Sequence, residues 1–453
     1  MPPNVAKLLS LSPMYKAAII GAGASGCFCA VEMKRRHPDW DIVVLESAPA
    51  PLQKLAITGG GRCNLTNSFN EVGSLREVYP RGEQLMKRGL REFDQNDCMA
   101  WWEREGVRLV VQDDQCVFPR SQDAMQLVHT LERLMSRLGV RLRCRCKVVG
   151  ISNLAAPEKS GTFSPGTQNL PDSGTLGGSS LNPGRSRYCI SLISGERLEA
   201  DRVVVSVGGC SSEVLGRILP QGVPLTPTVP SLFTLRLDDE RLRQLGGTVV
   251  SDATLSIAGT AHRSRGIVLI TDWGVSGPAT LRLSSYAART LSQMQYKGKL
   301  IINWLSLNEA ETEELLQDFC GGAQAAKGGG GRNGNRLLVN SRPDGLTDRL
   351  WRHIIARSAL RSDIRCSELG SKGLARLKNS LCADCYEILG RAKFKEEFVT
   401  CGGVDLSAIN LNTLEVKGFP DLYITGEALD LDAVTGGFNL QAAWTTGYIA
   451  AKQ

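Results

Sequence analysis

Residues 16–46 read KAAIIGAGASGCFCAVEMKRRHPDWDIVVLE, and this stretch decides the fold. KAAII is a short apolar run of the kind that forms a buried parallel strand. The glycine turn that follows opens a helix expected to run to about Arg36. His37-Pro38 ends it, because the residue before proline avoids the helical region. DIVVLE is a second buried strand. The three pieces make a β-α-β unit of about 30 residues.

Within it stands Gly21-Ala22-Gly23-Ala24-Ser25-Gly26, between strand and helix as a dinucleotide fingerprint requires. Gly21 permits the tight turn. Gly23 lets a pyrophosphate approach the backbone, and Gly26 lets helix and strand pack closely. The helix N-terminus offers unpaired N–H groups and a positive dipole end to the phosphates. Glu46, at the end of the second strand with Ser47 beside it, is placed to accept hydrogen bonds from an adenosine ribose.

Two further glycine segments extend the pattern. Thr58-Gly59-Gly60-Gly61-Arg62-Cys63-Asn64, preceded by Lys54, makes a loop whose backbone can press against a flat or charged ligand. Arg62 and Lys54 are candidates to neutralise phosphate. Near the C-terminus, Leu422–Glu427 reads as a strand ending on Gly426 and Glu427. Thr435-Gly436-Gly437-Phe438-Asn439-Leu440 then opens an apolar helix, whose N-terminus is a second site suited to negative charge.

Outward from these motifs, the chain has 453 residues, 42% hydrophobic and 22% charged. That suits two or three globular domains. The net charge of +7 permits an anionic partner without specifying one. Fourteen scattered cysteines in so long a chain read as reduced thiols of a cytoplasmic protein, not as a disulfide framework. No signal peptide or membrane span is expected. Met14, just before the first strand, is a candidate start.

Helical periodicity covers 84–106 and 121–139, and VRLRCRCKVVGI follows as an expected strand with Arg141, Arg143 and Arg145 on one face. Residues 155–187 and 321–336 are low-complexity, the first an expected disordered insertion. Strands are expected in 231–305 and mostly helix in 308–395. The order gives an α/β domain in two parts, 1–228 and 397–453, interrupted by a β-rich region (229–307) and a helical region (308–396).

The sequence resembles the BaiN/RdsA (YhiN) family of FAD-dependent oxidoreductases over nearly its whole length. The resemblance rests on GAGASG, TGGGRCNLTN (58–67), VFPRS (117–121), VSVGG (205–209), GVSGPA (274–279), GGVDL (402–406) and GEALDLDAVTGGFNLQAAW (426–444). It implies a Rossmann-like, glutathione-reductase-like FAD domain in two parts, with an inserted β-barrel-like region and a small helical one. It implies FAD along Gly21, Gly23, Ala24, Ser25, Gly26, Glu46, Ser47, Lys54, Gly60, Gly61, Arg62, Gly208, Gly426, Glu427, Gly437, Asn439 and Leu440. It also implies reduction of a carbon–carbon double bond conjugated to a carbonyl, in a small molecule or in a uracil of ribosomal RNA. Family members often carry His where this chain has Asp272.

With one fingerprint, taken by FAD, any NAD(P)H must dock elsewhere and transiently. Cys63 is the first candidate proton donor, with a small packed cysteine as the competing reading; Asp272 and Tyr423 follow. Cys382 and Cys385 form the sole CxxC, placed by the sequence in a helical stretch, and no metal site is expected. RNA contact is a further expectation for Arg81, Lys87, Arg88 and Arg91 and for the arginines of 141–145. His262 reads as a solvated residue. A FAD-dependent amine oxidase and a non-catalytic flavin-bound module remain as alternatives. No obligate protein partner is evident.

Overall fold

The computed structural model describes residues 15–154, 187–320, 336–392 and 399–453. Apart from Arg187 and Arg336, the two low-complexity segments lie outside the described residues.

Five parallel strands form the central sheet, in the order Leu422–Ile424, Arg202–Val205, Lys16–Ile20, Asp41–Leu45, Arg141–Arg143. Their side chains are buried on both faces, which explains the continuous apolar runs. The helix Ala24–Arg36 follows the first strand and packs on the C-terminal helix Phe438–Lys452. Gly447 sets that distance, since a Cβ there would lie 2.8 Å from the Ser25 carbonyl oxygen. Phe28, Trp101, Trp102 and Trp444 fill the space around this contact. The two parts of the domain therefore share one core.

The strand expected across 140–151 is instead two, Arg141–Arg143 and Val148–Asn153, with Arg145 at φ 58° between them. Arg141 is held bidentate by Asp41 (2.9 and 2.6 Å) and Arg143 by Glu196 (2.8 and 2.7 Å). Arg81, half-buried, is held against the buried Asp432. Of the arginines expected to meet RNA, these three are spent on carboxylates.

Beyond the sheet, an antiparallel ribbon of Leu225–Ser231 and Val399–Val404 carries the chain out and back. Between them lies a closed six-stranded barrel: Leu235–Leu237, Gly274–Ser276, Arg263–Thr271, Val249–Ile257, Gly298–Asn303 and Asp384–Arg391. The last strand differs from the helical expectation for 308–396. Helices Glu309–Cys320, Asp348–Arg357 and Ser371–Cys382 precede it, and the chain then returns to close the barrel. Alternating burial along Asp384–Leu389 is the signature of a barrel wall.

Asp384 anchors that closure. It is buried, and its carboxylate accepts from Trp304 Nε1 (3.0 Å), Tyr386 Oη (2.5 Å) and Arg357 Nε (2.9 Å). A buried charge is tolerable when so fully paired. Cys382 ends a helix and contacts Thr312, while Cys385 lies exposed on the barrel wall. Cys382, Cys385 and the other cysteines whose side chains are described are free thiols, and the described residues contain no group of metal-ligating side chains. No described helix is long and apolar enough to cross a membrane.

Candidate cofactor site

The fingerprint glycines divide by what surrounds them. Gly21 has φ +103°, and a Cβ there would lie 2.4 Å from the Ser206 carbonyl oxygen. At Gly26 a Cβ would lie 2.0 Å from the Gly21 oxygen. These two are demanded by the fold itself. Gly23 differs: a Cβ would meet nothing within 4 Å. Gly23 also caps the helix Ala24–Arg36 without any side-chain cap, so the first-turn N–H groups of Ala24, Ser25 and Gly26 remain available. Ser25 Oγ, in that same turn, is buried without a partner. Open space, free N–H groups and an orphan hydroxyl fit a pyrophosphate.

Glu46 braces the turn. Its carboxylate accepts from Ala22 N (2.8 Å), Ala48 N (2.7 Å) and Ser47 Oγ (3.2 Å). It is half-buried at the end of its strand, where a ribose would lie beside the glycine turn.

In the triple-glycine loop, Gly59, Gly60 and Gly61 have φ of 58°, 69° and 83°. Successive left-handed residues turn their N–H groups to one side, as in an anion nest. Gly60 and Gly61 face open space. Arg62 is exposed; its guanidinium lies 4.7 Å over the Phe118 ring and its Nε donates to the Gly59 oxygen (3.2 Å). Lys54 is also exposed and lies within electrostatic reach of Cys210, as does Glu427. Burial, with Glu427 adding to it, pushes the Cys210 thiol up to about 11.

Glu427 ties separate segments together, accepting from Gly209 N (3.0 Å) and Thr400 N (2.6 Å). Gly208 has φ +69° beside it, and Gly426, at φ +62°, lies against Ser25. Gly437 caps the C-terminal helix at φ +90°, where any Cβ would strike the Thr66 oxygen at 2.3 Å. Asn439 turns inward, exchanging hydrogen bonds with both the N–H and the oxygen of Ala433 (2.9 Å each). Leu440 packs on the core. The expected residues from 21–26, 46, 54–62, 208 and 426–437 thus meet along one edge, where the parallel strands end.

The proton-donor candidates fare differently. Cys63, at φ 61°, has no exposed surface, and burial pushes its thiol up to about 12. It is a neutral packing group beneath the loop, with no face to offer a substrate. Asp272 is exposed at the far end of the barrel strand Arg263–Thr271 from His262. Tyr423 is mid-strand core, stacked under Arg202. His262 is half-buried and shares a 2.9 Å hydrogen bond with Thr290, so it is not the free solvated residue expected.

Sequence reading passed over the polar groups that hold the site together. Asn64 donates to the Thr66 oxygen (2.9 Å) and accepts from Gly437 N (3.2 Å) in the orientation that satisfies both. Thr66 donates to Gln441 (2.5 Å), and Ser206 pairs with Thr425 (2.6 Å). Asn64, Thr66 and Gln441 all lie inside the quoted motif blocks, which was the signal available.

Residues 15–168 and 179–453 match the HI0933-like protein Rossmann domain. The chain belongs to this family. It is 25% identical over 455 residues to the 3-dehydro-bile acid delta(4,6)-reductase of Clostridium scindens, covering 97% of this chain and 98% of the relative. It is likewise 25% identical over 461 residues to the ribosomal RNA dihydrouridine synthase of Escherichia coli, with 97% of both chains covered. Among solved structures, a 3-ketosteroid-delta4-(5alpha)-dehydrogenase from Rhodococcus jostii aligns over 100% of both chains at 13% identity, with a TM-score of 0.44. The resemblance to the BaiN/RdsA group therefore holds, and this HI0933-like chain is a FAD-dependent oxidoreductase.

Proposed function

We propose that this protein uses NAD(P)H to reduce a carbon–carbon double bond conjugated to a carbonyl. The observation that carries the reading is the cradle of glycine turns and uncapped helix N-termini at Gly23 and Gly437, held by carboxylates at Glu46 and Glu427. The printed activities of the two relatives support the choice of substrate. A 3-keto steroid with a 4,6-diene and a uracil ring both present an alkene conjugated to a carbonyl. FAD, bound here, would supply hydride transfer between a nicotinamide and such an alkene.

The chain's own residues bind and orient. The first-turn N–H groups at Ala24, Ser25 and Gly26 would hold the pyrophosphate, and Glu46 the ribose. The nest at Gly59–Gly61 and the helix end at Gly437 place positive partial charge where the ring would lie. Cys63 and Cys210, both neutral at physiological pH, keep thiolates out of the site.

The test is anaerobic rapid mixing of the FAD-loaded protein with NADH, then with NADPH. Bleaching of the oxidised flavin band by one of them is the expected result. No bleaching by either, with full reduction by dithionite, would remove NAD(P)H from the reading.

A further inference from the structure

A small sheet flanks the triple-glycine loop, and its outward face is basic. Strand Leu109–Val111 pairs antiparallel with Cys116–Pro119, with Val110 opposite Phe118. The same register puts Arg108 directly opposite Arg120, whose N–H donates to the Arg108 oxygen (2.8 Å). Cross-strand partners share a face, and Phe118 and Arg120 share one by alternation. Arg62 lies on that face too, over Phe118.

Three exposed arginines therefore crowd one spot beside the cradle. None has a carboxylate partner among the described residues, and Arg108 and Arg120 have no side-chain partner there of any kind. Like charges directly opposite each other destabilise a sheet. Some exposed arginines elsewhere are held bidentately by a carboxylate, as Arg141 is by Asp41 and Arg265 by Asp252. Cross-strand Cα atoms lie about 5 Å apart, and alternate residues on a strand about 7 Å. The patch is thus about 10 Å across. Val110, 37% exposed, adds an apolar surface in its midst.

We propose that Arg62, Arg108 and Arg120 form the docking site for the phosphates of the nicotinamide dinucleotide that reduces the cofactor. The proposal rests on the reductase reading above. Guanidinium forks match phosphate oxygens, and Val110 gives an adenine ring a place to lie. The compactness of the patch favours one dinucleotide over a nucleic acid strand. Nucleic-acid affinity grows with the number of phosphates neutralised along the strand, and Arg141 and Arg143, expected to meet RNA, are already paired. The location also answers why a second glycine fingerprint is missing: the donor is gripped by side chains, briefly, next to the loop that lines the cofactor.

The test uses FAD-loaded protein and the variant Arg108→Gln/Arg120→Gln, since neither residue belongs to the FAD cradle. Calorimetry with NAD+ and NADP+, which cannot reduce the flavin, reads binding alone. Each lost charge-assisted contact should weaken binding about tenfold, so the double variant should bind about 100-fold more weakly. In rapid mixing, the half-saturating NAD(P)H concentration should rise by the same factor, with the limiting bleaching rate, FAD content and dithionite reduction unchanged. Equal binding by variant and native protein would overturn the site. So would unchanged dinucleotide binding alongside lost affinity for a uracil-containing ribosomal RNA fragment, which would assign the arginines to RNA. Arginine-dependent dinucleotide binding without any bleaching would uphold the site and sink the reductase reading. Bleaching with an unaltered half-saturating concentration would do the reverse.

Discussion

At the residue scale, the glycines of one motif do two separable jobs. Gly21 is required by the backbone: its positive φ and the Ser206 oxygen at 2.4 Å leave no place for a Cβ. Gly23 is required only by what binds there, since its Cβ position is open. Gly21→Ala should therefore lower the thermal midpoint of the FAD-free protein by several degrees, consistent with a loss of about 1–3 kcal/mol. Gly23→Leu should leave that midpoint nearly unchanged and yet abolish FAD retention, read as the flavin-to-protein absorbance ratio. Equal melting losses in both would contradict the division. The fingerprint itself was legible in sequence, because local spacing between strand and helix defines it. The roles of Asn64 and Ser206 were not, because Asn64 bridges to Gly437 and Ser206 to Thr425, each hundreds of residues away.

Cys63 gives a second residue-scale prediction. Its thiol is pushed up to about 12 by burial, as is that of Cys29, against about 8.5 in an unfolded chain. The unfolded chain loses these protons first. Their contribution to stability is therefore full below about pH 8.5 and declines as pH rises toward 12, by about 1.4 kcal/mol per pH unit for each thiol. Urea midpoints between pH 8.5 and 11 should fall less steeply in Cys63→Ala than in the native protein. Rapid alkylation of Cys63 in the native fold at pH 8 would show instead that it is accessible.

At the scale of elements, the main surprise is how the inserted region closes. DCYEILGR carries a period-two pattern, yet it follows a long helical run and its partners, Leu235–Leu237 and Gly298–Asn303, are far along the chain. Local pattern could suggest a strand there; only the three-dimensional pairing makes it a barrel wall. The junction of elements around Arg81 was equally hidden. Arg81 Nε donates to Asp432 (2.6 Å), its Nη1 to the Ser285 oxygen (2.7 Å), and Ser231 Oγ to Asp432 (2.9 Å). Both parts of the FAD domain and the inserted region thus meet at one largely buried ion pair. Removing only one partner of such a pair strands the other. Arg81→Ala should cost about 3–5 kcal/mol in denaturant unfolding. A loss under 1 kcal/mol would mean that Asp432 finds water or stays protonated without cost. Burial does raise the Asp432 carboxyl, with Arg81 opposing that rise.

At the scale of the whole molecule, the chain builds a cofactor cradle from two distant segments and inserts a closed barrel between them in the sequence. The α/β class and the two-part layout were legible because glycine motifs mark both ends. The chemistry was less so. No proton donor stands out among the candidates, since Cys63 is sealed in the core and Asp272 is exposed just after a barrel strand. Pairing hydride delivery with a conjugated alkene is nonetheless a claim that can be separated from the choice of electron donor. The direct measurement is the oxidative half-reaction: reduce the FAD-loaded protein with dithionite under anaerobic conditions, remove the excess, and mix it with a conjugated enone, with a uracil-containing ribosomal RNA fragment, and with the matching saturated ketone. The account predicts that the oxidised flavin band returns with at least one of the two conjugated acceptors, with one saturated product per flavin, and not with the ketone. Return of the band only on admitting oxygen, with peroxide formed and no alkene consumed, would contradict it.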